Sequence, residues 1–348
     1  MAEVETVDTG AAEPLEASTR TLLSLLSSTW VAQAIFIAAK LGIADMLYPG
    51  AASCTELAAA TKVHAPSLHR VLRALASIGL FAGDAQGRFA LTPLAELLRS
   101  DALGSLRAYA IMVGERWVWQ SWGDIEYSVR TGQPAFEHVF GALLFDYYTP
   151  HPEAGRVSAD ALNSLSAADN AAIVAACGFP ESGTVIDVGG GQGTLLAAIM
   201  AANPGLQGVL FERPAVLEMA RLRLAAAGVG TRCELVGGDF FAGVPGGGDF
   251  YLMKKVIHDW SDEAARSILA CCRAAMPAAA RLLLAEQVMP EDNQPSAAKW
   301  LDLLMLVYAG GRERTEAEYR NLLAAVGFAI NRILPTVASI RVIEAIPV

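Results

Sequence analysis

The stretch Met253-Lys254-Lys255-Val256-Ile257-His258-Asp259-Trp260-Ser261-Asp262 places an imidazole among acids just after an apolar run. An imidazole can take up a proton near neutral pH. Two later acids are placed to reach it from the ends of other elements: Glu286, in Leu283-Leu284-Ala285-Glu286-Gln287, and Glu313, in Gly310-Gly311-Arg312-Glu313-Arg314-Thr315. A carboxylate on one ring nitrogen fixes the tautomer and stabilises the imidazolium, which leaves the other nitrogen as a base. His258 is therefore the candidate general base, with Glu286 and Glu313 as its partners. Two plainer readings stand beside it. One is a satisfied structural histidine. The other is a metal site on His258, Asp259 and Asp262, for which one imidazole and loose spacing make a poor ligand set. No metal is expected.

The second cluster is Asp187-Val188-Gly189-Gly190-Gly191-Gln192-Gly193, which leaves an apolar run and opens a helical one. Glycines let backbone approach a ligand closely, and a helix N-terminus adds oriented N–H groups. A phosphate-binding P-loop would need Gly-Lys-Ser/Thr, but Gly193 is followed by Thr194 and Leu195. A dinucleotide fingerprint would need glycine where Thr194 stands. The remaining pattern, Asp-x-Gly-x-Gly-x-Gly, is similar to the first motif of S-adenosylmethionine-dependent methyltransferases. Glu212 lies about 20 residues further on, the spacing of a carboxylate that binds ribose hydroxyls; a surface pair with Arg213 is the alternative. Asp239, in Gly238-Asp239-Phe240, could accept an adenine amino group while Phe240 packs on the ring.

These residues need strand ends to hold them. From Gly178 onward apolar strands alternate with helices. Strands are expected over 184–188, 208–211, 233–236, 250–253 and 281–286, with two more near 329–334 and 339–346. Helices are expected over 193–202, 214–227, 261–276, 296–308 and 315–326. Strands of this kind make a mostly parallel sheet covered on both faces, whose ligands bind at the carboxyl ends. The fold class is thus α/β, with a Rossmann-like domain over 178–348. Residues 104–177 read as helical and aromatic-rich, with Met112, Trp117, Trp119, Trp122, Phe136, Phe140, Phe145, Tyr147 and Tyr148 as core or as the wall of an apolar pocket.

Residues 17–103 read as a mainly α winged helix. Apolar residues from Leu22 to Leu47 recur at helical spacing. A short helix starts at Ser53, and another, with Pro66 in its first turn, runs to Gly79. A hairpin then turns at Gly83-Asp84-Ala85-Gln86-Gly87. Arg70 and Arg73 leave a DNA-binding regulator open as a rival to a dimerisation module. The whole chain of 348 residues carries a net charge of −10, from 36 acids and 26 bases. That balance disfavours a nucleic-acid binder. The 53 % hydrophobic content excludes a mainly disordered chain. The five cysteines lack metal-ligand spacing and read as reduced thiols. Residues 1–16 read as a flexible tail. Acids before Arg20 do not fit a secretory signal, and the apolar stretch Trp30–Ala39 is too short to span a bilayer. A cytoplasmic protein with no membrane contact is expected.

Taken together, the chain resembles the large S-adenosylmethionine-dependent O-methyltransferases of plant secondary metabolism and their bacterial natural-product relatives. The resemblance runs from the Leu41-Gly42-Ile43-Ala44-Asp45 region to Val348. It implies a homodimer through the N-terminal domain, S-adenosylmethionine as cofactor and a small aromatic hydroxylated acceptor. It also implies cofactor contacts from Asp187, Gly189, Gly191, Glu212, Asp239, Phe240 and Lys254, and His258, Glu286 and Glu313 as the catalytic set. Trp119, Met112, Asp259, Asp302 and Met305 are expected to face the acceptor. The plant members' His-Asn-Pro stretch is Val307-Tyr308-Ala309 here, and residues 158–165 lack the usual ligand-clamping Phe and Met. A phenylpropanoid acceptor is therefore not implied. Methylation at nitrogen, cofactor-assisted decarboxylation or hydroxylation, and a nicotinamide-dependent reaction remain as alternatives.

Overall fold

A computed structural model describes residues 15–348, which divide into two compact units, one running to Gly114 and one spanning Glu115–Val348. Most of the expected N-terminal tail, residues 1–14, lies outside the described residues. Leu15 and Glu16 already belong to helix α1.

The first unit contains α1 (Leu15–Lys40), α2 (Ile43–Leu47), β1 (Ala52–Ser53), α3 (Cys54–Thr61), α4 (Ala65–Ser77), β2 (Phe81–Gly83), β3 (Arg88–Leu91), α5 (Pro93–Glu96) and α6 (Arg107–Gly114). The helical spacing read from Leu22 to Leu47 covers two helices. Gly42 adopts φ 68°, a left-handed conformation that ends one and starts the other. The helix α1 also starts earlier than its apolar residues suggest. Hydroxyls of Thr19, Thr21, Ser27 and Ser28 fold back onto carbonyls three or four residues earlier, so the serines and threonines do not interrupt it. At full length α1 exceeds the stretch Trp30–Ala39. Its mean hydropathy reaches 1.7, and by length and composition it could cross a membrane. Its N-terminal half leaves Leu22, Leu25, Leu26 and Trp30 exposed. The wing forms as expected, with β3 between β1 and β2. The Asp84 carboxylate accepts the N–H groups of Gln86 and Arg88 and shapes the turn.

The helical middle expected over 104–177 is not a separate body. Helix α6 lies against α1 so closely that a Cβ on Gly114 would fall 2.0 Å from Cγ of Phe36. The second unit begins with α7 (Arg116–Gly123), α8 (Ile125–Thr131), α9 (Ala135–Phe140), α10 (Leu144–Tyr147) and the long α11 (Pro152–Cys177). There follow β4 (Gly183–Val188), α12 (Thr194–Ala202), β5 (Leu206–Glu212), α13 (Pro214–Ala226), β6 (Cys233–Gly237), β7 (Phe250–Lys254), α14 (Asp262–Ala275), β8 (Arg281–Glu286), α15 (Ala297–Tyr308), α16 (Glu316–Ala324), β9 (Phe328–Pro335) and β10 (Arg341–Pro347).

The sheet has seven strands in the order β6-β5-β4-β7-β8-β10-β9. The first five are mutually parallel, and β10 runs antiparallel between β8 and β9. Alternate side chains feed two cores. Leu282 and Leu284 join Ile186, Tyr251 and Met253 against α14 and α16. Leu283 and Ala285 join Val185 and Leu252 against α12 and α13. Burial on both faces explains why these strands read as continuous apolar runs. The parallel strands β4 to β8 all end on one edge, where the polar residues gather. The five cysteines are unpaired thiols, of which Cys54, Cys177 and Cys272 are buried.

Candidate active site

The glycine segment turns at the end of β4 through three left-handed residues, Gly189 (φ 68°), Gly191 (φ 57°) and Gly193 (φ 73°). Gly189 N–H closes the turn onto Phe211 O at 2.8 Å. A Cβ built on Gly191 would meet nothing within 4 Å, so the loop faces open space there. The Glu212 carboxylate sits at that opening: it accepts Gly191 N–H at 3.0 Å and Arg213 N–H at 2.7 Å. The alternative Glu212–Arg213 side-chain pair does not form. The Arg213 guanidinium instead donates to Phe145 O at 3.3 Å and lies over the Phe145 ring.

Beneath the loop, Asp187 is buried and both of its carboxylate oxygens lack a hydrogen-bond partner. Burial pushes its pKa up to about 7, against the pull of Lys254. The Lys254 ammonium donates to Asn170 Oδ1 at 2.6 Å, and burial, with Lys255 beside it, brings its pKa down to about 8. On the far side of the loop Phe240 reaches within 3.5 Å of a Cβ placed on Gly189. Its ring meets Trp260 edge-on at 5.8 Å, and Trp260 stacks on Phe145 at 6.2 Å. Asp239 is exposed and holds its own turn through Phe241 N–H at 2.9 Å. Asp187, Gly189, Gly191, Glu212, Phe240 and Lys254 are thus brought together.

Three polar residues absent from the sequence-based set complete this region. On α11, Asn163 donates to Gln192 Oε1 at 2.9 Å and Asn170 donates to Thr194 Oγ1 at 3.2 Å. Asp169 pairs with Lys255 at 2.7 Å. Helix α11 therefore braces the glycine loop and the end of β7. Its sequence signal is a polar stripe, Asn163, Ser166 and Asn170, at helical spacing among alanines.

His258 lies in a buried 3₁₀ turn, Ile257–Asp259, just beyond β7. Its Nδ1 is 2.6 Å from Glu313 Oε1 and 3.9 Å from Glu286 Oε2, while Nε2 has Asp259 Oδ1 at 3.6 Å. Burial alone would lower its pKa, but Asp259, Glu286 and Glu313 outweigh it and hold the ring up at about 9. Burial raises Glu286 to about 7 and Asp259 to about 6. Glu286 Oε1 accepts the N–H groups of Val256 and Ile257 at 3.2 and 2.9 Å. Glu286 Oε2 and Glu313 Oε2 have no hydrogen-bond partner. The metal alternative on His258, Asp259 and Asp262 is not assembled, because the Asp262 carboxylate is taken by Arg314 at 2.9 Å.

In the same unit, Trp117 packs edge to face against Phe136, Tyr148 and Tyr308 at ring separations near 6 Å, and Phe136 meets Tyr308 at a tilt. Tyr148 donates to Ser158 Oγ at 3.0 Å, and burial pushes its pKa up to about 12. Met305 is buried. Trp119 is half-buried, and it is Trp117, two positions earlier, that enters the aromatic cluster. Met112 belongs to the first unit. Asp302, expected at the acceptor, accepts Glu313 N–H at 2.8 Å and so steadies the carboxylate on His258.

A parallel sheet with a left-handed glycine turn, a carboxylate at the next strand end and a carboxylate-bound histidine beyond β7 is the arrangement of an enzyme that binds a nucleoside cofactor. Comparison with known proteins carries this further: the chain belongs to the O-methyltransferase family. The model of the O-methyltransferase domain matches residues 122–329, and that of the O-methyltransferase dimerisation domain matches residues 23–101. A phenazine O-methyltransferase of Lysobacter antibioticus is 47 % identical over 327 residues, covering 94 % of this chain and 96 % of the relative. The O-demethylpuromycin-O-methyltransferase of Streptomyces alboniger is 39 % identical over 334 residues, covering 94 % and 89 %. Among solved structures, NcsB1 of neocarzinostatin biosynthesis, bound to S-adenosylmethionine and 2-hydroxy-5-methyl naphthoic acid, matches with a TM-score of 0.81 at 32 % identity, covering 91 % of this chain and 96 % of that one. The protein is an S-adenosylmethionine-dependent methyltransferase. Its dimerisation domain supports a homodimer.

Proposed function

We propose that the enzyme methylates a hydroxyl, phenolic in character, on a small aromatic natural-product acceptor, with His258 as general base. The carrying observation is the buried 2.6 Å contact between His258 Nδ1 and Glu313, which commits one ring nitrogen and leaves Nε2 to take a proton. The glycine turn, the orphaned Asp187 carboxylate and the open space at Gly191 fit an adenosine-bearing cofactor. Glu212 would bind the ribose hydroxyls, Asp239 and Phe240 the adenine, and Asp187, Gly189, Gly191 and Lys254 would shape the rest. Bound S-adenosylmethionine supplies an electrophilic methyl group on a sulfonium, which departs as a neutral thioether.

On the protein side, Nε2 would take the proton of the acceptor hydroxyl and so raise the nucleophilicity of its oxygen. Glu313 holds the ring in place and stabilises the imidazolium that results. Aromatic side chains around Trp117 and Tyr308, with Met305, Trp119 and Asp259, would position a flat acceptor. Positioning supplies a large part of the rate gain when oxygen, carbon and sulfur must lie in line. His258 serves in place of a metal-activated hydroxyl. A net charge of −10 favours an enzyme without nucleic-acid partners. Incubation with labelled S-adenosylmethionine and a panel of phenolic polyketides and phenazines, followed by mass analysis, should give O-methyl products. Label found only on nitrogen, or a product lacking it, would replace this reading.

The dimer gives a second expected result. Leu26 and Trp30 stay 64 % and 76 % exposed on α1. Covering a large apolar side chain stabilises by about 1.5–3 kcal/mol. Leu26→Glu together with Trp30→Glu should convert the dimer to monomer in light scattering and abolish most activity. An active dimer carrying both changes would place the interface elsewhere.

A further inference from the structure

Arg314 is fully buried, the largest side chain of the molecule in that position. A buried guanidinium is costly unless its fork of donors is satisfied. Here the fork is spent on one short segment. Nη1 donates to Ile257 O at 2.9 Å, Nη2 to Trp260 O at 2.8 Å, and Nε to Asp262 Oδ1 at 2.9 Å. Those acceptors flank His258 on both sides in the chain. Arg312 N–H donates to the His258 carbonyl itself at 2.9 Å. From the other direction Glu286 Oε1 takes the N–H groups of Val256 and Ile257.

The backbones are pressed together as well: a Cβ on Gly311 would fall 2.0 Å from His258 O. The strand-like pairing of Val288 with Arg314, with Met289 N–H on Arg314 O at 2.9 Å, ties the arginine to the chain that leaves β8. Glu313 and Arg314 are neighbours with divided tasks. One holds the ring of His258; the other holds the loop that carries the ring.

We propose that Arg314 is a positioning residue for methyl transfer, fixing segment 256–262 so that His258 Nε2 meets the acceptor hydroxyl. The proposal rests on the reading of His258 as base. Only a planar fork spans carbonyls three residues apart and a carboxylate at once; an ammonium can hold one or two of them. Arg314→Lys should therefore keep the charge and lose the grip.

The test compares Arg314→Lys, Asp262→Asn and His258→Gln in the full-length dimer. Melting temperature, S-adenosylmethionine affinity by calorimetry, and kcat and acceptor KM from pH 6.5 to 10.5 are read for each. A misplaced catalytic group costs on the order of 10²-fold, so Arg314→Lys should lower kcat at neutral pH by about ten- to hundredfold, with cofactor affinity and acceptor KM near wild type. Asp262→Asn leaves the two carbonyl bonds and should lower kcat by less than tenfold, with the same pattern. The deficit should shrink at alkaline pH, where a phenol ionises without a base. Adding Arg314→Lys to His258→Gln should cost little more than His258→Gln alone. A folded Arg314→Lys enzyme with wild-type kcat, or one whose deficit is equal at every pH and tracks lost cofactor affinity, overturns the proposal. If Arg314→Lys fails to fold, wild-type kcat in Asp262→Asn overturns it instead. Should His258→Gln turn over at the wild-type rate, the base reading itself has failed, whatever Arg314 does.

Discussion

Replacing His258 with Gln should lower kcat by about 10²–10⁴-fold at neutral pH while calorimetric affinity for S-adenosylmethionine stays near wild type. Gln fills a similar volume and can still hydrogen bond to Glu313, but it cannot take the acceptor proton. The pH dependence sharpens the test. In the free protein the ring is held at about 9, so at neutral pH it is imidazolium, whereas the base must be neutral. The wild-type rate from free enzyme should therefore climb as pH rises toward 9 and level off above it. In the Gln variant that limb disappears. The residual rate should follow ionisation of the acceptor itself, near pH 10 for an unperturbed phenol. A cation bound in the same cleft disfavours the imidazolium. The ring should thus lose its proton at lower pH with S-adenosylmethionine than with S-adenosylhomocysteine, which lacks the sulfonium charge, as followed by imidazole NMR shifts.

Stability carries the same signature with the opposite benefit. A pKa raised from 6.5 to about 9 on folding adds stability that is complete below pH 6.5 and is lost as pH rises through 9. Thermal unfolding of the wild type should weaken across that window, and the Gln variant should show a flatter profile. A variant that turns over at the wild-type rate at neutral pH would remove His258 from the chemistry.

Glu212→Ala should weaken S-adenosylmethionine binding by about 1.5–3 kcal/mol, roughly ten- to 150-fold, the range for hydrogen bonds to a charged group. Its geometry explains why the effect has two parts. The carboxylate is placed at the opening of the glycine turn, where ribose hydroxyls would replace or join its backbone donors. It also accepts Gly191 N–H at 3.0 Å, so truncation leaves that amide unpaired in the empty protein and slackens the loop. Glu212→Gln keeps an acceptor but not the charge and should fall between Ala and wild type. Calorimetry on the three proteins decides the matter. Equal affinities would mean that the cofactor does not touch Glu212 and that its task is limited to the loop.

Much of this site was readable before any coordinates. The strands carrying Asp187, Glu212, Lys254 and Glu286 are buried on both faces, so their apolar runs stand out against the polar residues at their ends. The glycine turn was readable because its backbone conformation tolerates little else. What escaped notice depends on contacts between distant elements. Nothing near Asp302 says that its carboxylate will hold the Glu313 amide. Asn170 shows as a polar residue in an alanine-rich helix, but its partners Lys254 and Thr194 lie on two other elements. The break at Gly42 was hidden by apolar periodicity on both sides of it. The raised pKa of His258 could not be read at all, since it arises from acids at three places in the chain converging on a buried ring.

The position of β10 between β8 and β9 has a consequence for how the protein is made. This strand is translated after every other strand of its sheet, yet it is not an edge. Until residue 347 has left the ribosome, β8 presents an unpaired flank of Leu282, Leu283 and Leu284, the kind of open strand that invites pairing with another chain. The residue at the end of that strand is Glu286, and Ala285 pairs with Val342. The N-terminal unit lies wholly before this strand in the chain, so its residues are all made before β8, with Glu286 at its end, gains its last neighbour.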